Sequence, residues 1–60
     1  MSPATFQATR HYFGLTQKEW GLLLGIGREH VAKLEAGTMP VSRTVAILVA
    51  MYQRHGLARD

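Results

Sequence analysis

Cysteine is absent from this 60-residue chain, so neither a disulfide nor a thiolate metal site holds it together. Acidic side chains are scarce: four Asp and Glu stand against seven Lys and Arg, for a net charge of +3 at pH 7. So few carboxylates leave little material for an acid–base pair. The modest basic excess suits an anionic partner without singling one out. His11, His30 and His55 fall on three different segments without the spacing of metal ligands. No HExxH motif and no glycine-rich phosphate loop is present. An enzyme is therefore not expected, nor a bound metal or cofactor. No apolar run reaches the about 18 residues that span a bilayer, and no signal peptide is visible. The expectation is a cytoplasmic protein without membrane contact. A domain this short buries only about 60% of its unfolded surface, so it has one small core and gains from a partner subunit.

Residues 17–37, by contrast, are rich in pattern. They read QKEWGLLLGIGREHVAKLEAG, and the spacing predicts two short helices joined by a tight turn. Trp20, Leu23 and Leu24 share one apolar face on the first, and Val31 and Leu34 do so on the second. Gly25 falls between them, where a helix that must stop and turn uses a residue free to take positive φ. Gly21 is costly inside a helix, which points to a close approach by another backbone. Thr16 is a plausible N-cap, and Glu19 three residues later completes a capping box. The pattern is that of a helix-turn-helix over residues 17–36, whose second helix can enter the DNA major groove.

On that second helix, with Val31 and Leu34 inward, Arg28, Glu29, Ala32 and Lys33 face outward and Ala36 closes the far end. Arg28 can donate twice to guanine, Glu29 can accept from cytosine N4, and Lys33 can reach guanine or a phosphate. Ala32 permits close approach or touches a thymine methyl. The plainer alternative for Glu29 and Lys33 is an i,i+4 surface pair. His30 lies at the flank, a phosphate contact or a solvated side chain. Gly27 can cap the helix, and its missing side chain lets backbone N–H groups near a phosphate. Gln17, in the first turn of the preceding helix, is either solvated or a donor to a phosphate.

Before this unit, residues 1–14 read as a helix capped by Ser2 with Pro3 in its first turn. Phe6 and Phe13 face the core, Thr9 is a weak helix former, and Gly14 ends the helix. Arg10 is either a solvated charge or the partner of a carboxylate elsewhere. After it, residues 41–54 form a last helix, with Ser42 as its cap or Pro40 in its first turn. Its interior, VAILVAMY over residues 45–52, is apolar all round, so it needs a second apolar surface to cover it. One solution is a C2 dimer through Val45, Leu48, Val49, Met51, Tyr52 and Leu57, which sets two recognition helices about 34 Å apart. The alternative is that this helix is simply the core. Gly56 ends the helix, and Arg54 and Arg59 read as solvated charges or phosphate neighbours.

The series Leu15, Gln17, Glu19, Gly25, Ile26, Val31, Leu34, Glu35 and Gly37 resembles the Cro/C1-type (XRE-like) helix-turn-helix family of small phage and bacterial repressors. Gly21 stands where that family usually has Ala, and Trp20 where a smaller aliphatic residue is usual. The resemblance spans about Phe6 to Met51. It implies an all-α, four- to five-helix, lambda repressor-like domain that binds double-stranded DNA. It implies Gln17 as a phosphate contact, and loop contacts to phosphate from Thr38 and Met39, with Arg43 reaching a phosphate or the minor groove. It also implies an ion pair between Arg10 and Glu35, which offsets an otherwise costly inward carboxylate. The tail, QRHGLARD, leaves almost no room for the further helix that many relatives carry.

The expected function is a sequence-specific, homodimeric autorepressor of phage or mobile-element origin on an inverted-repeat operator, controlled by its own concentration. Two other readings stay open. One is a DNA-binding antitoxin that also neutralises a protein partner; the other is an interaction adaptor that does not bind DNA.

Overall fold

The structure is a computed structural model that describes residues 1–57. Arg59 lies outside the described residues. Four helices follow one another: α1 (Pro3–Tyr12), α2 (Gln17–Leu24), α3 (Arg28–Ala36) and α4 (Arg43–His55). They form a compact all-α bundle, and no strand occurs among the described residues.

Local hydrogen bonds fix where each helix starts. Ser2 Oγ accepts from the Thr5 N–H at 3.1 Å, with Pro3 next in the first helical turn. Thr16 Oγ1 accepts from the Glu19 N–H at 3.1 Å while Glu19 Oε1 accepts from the Thr16 N–H at 2.8 Å, a complete capping box. Ser42 Oγ accepts from the Val45 N–H at 3.2 Å, so Ser42, not Pro40, sets the start of α4. Each of these side chains satisfies an N–H that the helix itself leaves unpaired. The outer helices are shifted or trimmed relative to the sequence reading. Residues 1, 2, 13 and 14 lie outside α1, and α4 spans 43–55 rather than 41–54.

The core is Phe6, Trp20, Leu24, Val31, Leu34, Val45 and Val49, drawn from all four helices. Trp20 is its centre. It is fully buried, with ring centroids 5.9 Å from Phe6, 6.4 Å from Phe13 and 6.0 Å from Tyr52. An indole of this size contributes about 4–6 kcal/mol of apolar transfer, an upper bound on what it adds to stability. Thr9 is buried too. Its hydroxyl donates to the Thr5 carbonyl and accepts from Gln53 Nε2, both at 2.9 Å. The weak helix former in α1 is thus a polar tie to α4.

Two expectations need correction. Leu23 does not share the interior with Trp20 and Leu24; it is 39% exposed at the edge of α2. Tyr52 reaches across from α4, and its hydroxyl donates to the Leu23 carbonyl at 3.2 Å. In α4, Val45 and Val49 do not belong to a dimer face. They are 6% and 0% exposed and fill the chain's own core. Leu48 and Tyr52 pack against that core, and Leu57 is half-buried. A helix that is apolar all round still turns one stripe inward. The large apolar side chains α4 leaves to solvent are Met51 and, unforeseen, Ile47, each 52% exposed.

Candidate nucleic-acid interface

The α2–α3 unit owes its geometry to two glycines. Gly25 ends α2 with φ 74° and ψ 26°, a left-handed conformation that costs an L side chain free energy. Gly21 lies one turn earlier, and its carbonyl accepts the N–H groups of Gly25 and of Ile26, the latter at 2.9 Å. A Cβ on Gly21 would lie 2.5 Å from the Ile26 carbonyl oxygen. The turn backbone therefore rests directly on α2. This close seat brings α3 across α2 with residues 25–27 as the connecting turn.

Val31 and Leu34 of α3 are fully buried. The opposite face carries Arg28, Glu29, Lys33 and Ala36, all exposed, with Ala32 half-exposed between them and His30 at the flank. Among the described residues, the side chains of Arg28, Glu29 and Lys33 make no intramolecular hydrogen bond, and Arg10–Glu35 is the one ion pair. Glu29 and Lys33 therefore do not form the i,i+4 pair. Gly27 starts α3 without a side-chain cap, so the first N–H groups of that helix are free to meet an anion.

The other residues that the sequence selects lie on the segments that flank α3 in the chain. Thr38 closes α3: its hydroxyl and its N–H both donate to the Lys33 carbonyl, at 3.2 and 3.1 Å. Met39 is 38% exposed in the following loop, and Arg43 is exposed at the first position of α4. Lys18, exposed beside Gln17 in the first turn of α2, adds a cation that sequence pattern does not select, because a lone lysine carries no periodic signal.

Gln17 is not simply solvated. It is half-buried, and its Nε2 donates to Glu35 Oε1 at 3.1 Å. Glu35 is also gripped by Arg10, with Nε to Oε2 at 2.6 Å and Nη2 to Oε1 at 3.0 Å. The third guanidinium nitrogen, Nη1, donates to the Leu15 carbonyl at 2.9 Å. The side chains of Arg10 and Glu35 are 12% and 4% exposed. One arginine thus ties the end of α1 and the α1–α2 loop to α3 through a bidentate, charge-assisted pair. Burial pushes the Glu35 carboxyl up. The hydrogen bonds from Arg10 and Gln17 and the Arg10 charge outweigh it, with a smaller contribution from Gln7, so Glu35 ionises below the ordinary carboxylate value. Glu19 is also lowered, by its backbone and side-chain hydrogen bonds with Thr16.

Among the described residues, no group of three His, Cys, Asp or Glu converges as metal ligands would. No described helix is long and apolar enough to cross a membrane. Comparison with protein-family models, curated proteins and solved structures gave no significant match to this chain.

Proposed function

We propose that the chain is a sequence-specific DNA-binding transcriptional regulator of the Cro/C1 type, acting as a homodimeric repressor of phage or mobile-element origin. The observation that carries this reading is the outer face of α3. It presents Arg28, Glu29 and Lys33 with no intramolecular side-chain hydrogen bond or ion pair among the described residues, around a small Ala32. Side chains held for each other would have to break those bonds on binding; these are free to pair with base edges. The uncapped start of α3 at Gly27 and the cations Lys18 and Arg43 support the reading, because phosphates favour such a setting.

In this mechanism α3 enters the major groove. Arg28, Glu29, Ala32 and Lys33 read bases; Gln17, Gly27, His30, Met39 and Arg43 fix the register on phosphates, whereas Thr38, expected among them, commits its hydroxyl and its N–H to the Lys33 carbonyl and holds the loop instead. A second copy docks on the apolar side chains left outside the core, Ile47 and Met51 of α4 with Leu22 and Leu23 of α2. Two recognition helices about 34 Å apart then meet successive turns of one DNA face. Occupancy of a promoter excludes polymerase, and the chain's own concentration sets occupancy.

Binding-site selection from a random duplex pool, at moderate and at higher salt, tests the reading. An enriched inverted repeat is the expected result. Weak, salt-sensitive binding without enrichment would refute it in favour of a protein-directed role, antitoxin or adaptor.

A further inference from the structure

Glu35 lies in the last turn of α3 with its side chain 4% exposed, and it touches a residue assigned to the phosphate contacts. Its carboxylate holds Arg10 by two hydrogen bonds, and Oε1 also accepts from Gln17 Nε2 at 3.1 Å. A carboxylate only accepts hydrogen bonds, so it admits one orientation of the Gln17 amide, nitrogen inward. The second hydrogen on that nitrogen lies in the amide plane about 120° from the first, a fixed direction for a donor. Among the described residues it has no partner. Without Glu35 the amide can turn over and present its carbonyl oxygen, which a phosphate repels.

We propose that Glu35 is a positioning residue: held in place by Arg10, it sets the Gln17 amide so that a free N–H is presented to DNA phosphate. The inference rests on the DNA-binding reading above and deepens it. The chain Arg10–Glu35–Gln17 runs from α1 through α3 to the first residue of α2. The same contacts that dock the helices therefore also preset a ligand contact. Preorganisation of this kind lowers the ordering cost of binding.

The test must separate an effect on Gln17 from loss of the ion pair or of a negative charge. Glu35→Gln and Glu35→Met both remove the charge and the ion pair, but Gln keeps one carbonyl oxygen that can accept from Arg10 and from the Gln17 amide, and Met keeps none, so the Gln17→Ala background is what isolates the Gln17 contact. Affinity for a labelled duplex recovered from the selection is measured for both, with and without Gln17→Ala. The expected result is about 3- to 10-fold tighter binding by Glu35→Gln than by Glu35→Met, a difference that disappears in the Gln17→Ala background. Equal affinity of the two, or a difference that survives Gln17→Ala, overturns the proposal. Side-chain relaxation of Gln17 Nε2 in the wild-type protein without DNA covers the case of variants that do not fold. An order parameter near that of rigid backbone, about 0.85, is expected, and one below about 0.6 refutes the presetting. A wild-type protein that binds no duplex, with Gln17 ordered, would instead remove the DNA reading and this inference with it.

Discussion

Glu35 occupies the last turn of α3, the negative end of the helix dipole, and its side chain is 4% exposed. Both features disfavour a carboxylate there. Arg10 offsets them, so removing Arg10 leaves a buried charge without its partner. Arg10→Ala is expected to cost about 3–5 kcal/mol, a large part of the stability of a domain this size. Thermal melts would show it; an unchanged Tm with altered site preference would mean that Arg10 serves recognition instead. The same pair sets an acid limit. The Glu35 carboxyl ionises below its ordinary value of 4.5. Its stabilisation is therefore complete above the unfolded value and lost as pH falls through the lower folded one. Wild-type Tm should drop below about pH 4.5, and Glu35→Gln should flatten that drop; parallel curves for the two proteins would contradict it. Trp20 makes an opposite case. Its Nε1 is buried and has no hydrogen-bond partner among the described residues. Trp20→Phe loses ring volume but also removes an unsatisfied donor that costs about 1–3 kcal/mol. The two nearly cancel, so Trp20→Phe should lose under about 1.5 kcal/mol in urea unfolding followed by circular dichroism. Trp20→Ala should lose about 3–5 kcal/mol.

The elements differ in how much of them the sequence made legible. The capping box of α2, the turn at Gly25 and the inward pair Val31 and Leu34 were visible, because each follows from local geometry or a helical period. Gly21 was visible for the same reason, and it carries a prediction. Ala is the better helix former by about 1 kcal/mol, so an exposed Gly21→Ala would stabilise α2. Here the added Cβ meets the Ile26 carbonyl at 2.5 Å, and the obstacle is backbone. The turn must lift, and Gly21→Ala should cost about 1–3 kcal/mol; a higher Tm would show that α2 and the turn are not in contact. Polar contacts between elements left no such trace. Gln53 and Thr9 are 44 residues apart and Gln17 and Glu35 18 apart, with no periodicity to connect them. Arg10 and Glu35 were paired only through family resemblance, not through pattern. α4 shows a different limit. VAILVAMY is apolar on every face, so its period carries no direction and does not tell Val45 and Val49, which fill the core, from Ile47 and Met51, which stay exposed.

At the scale of the whole molecule, four large apolar side chains on two neighbouring helices stay outside that core. Leu22 is 74% exposed, Leu23 39%, and Ile47 and Met51 52% each. Tyr52 links the two helices at the Leu23 carbonyl, and Ile47 and Met51 lie one turn apart on α4. If a second copy covers this surface, dimerisation and stability are one equilibrium, and Tm rises with protein concentration. Met51→Glu tests this without touching the monomer's interior, because Met51 is already half in solvent. The substitution puts two like charges into the dimer contact, one from each copy, at a site that loses water on association. It should abolish the concentration dependence of Tm and leave the far-ultraviolet circular dichroism of dilute protein unchanged. Binding to an inverted repeat should fall much more than binding to a single half-site, since the half-site engages one α3 only. Equal losses on the two DNA probes would place Met51 outside any interface between copies. They would also remove the dimer from the proposed mechanism while leaving base recognition by Arg28, Glu29 and Lys33 intact.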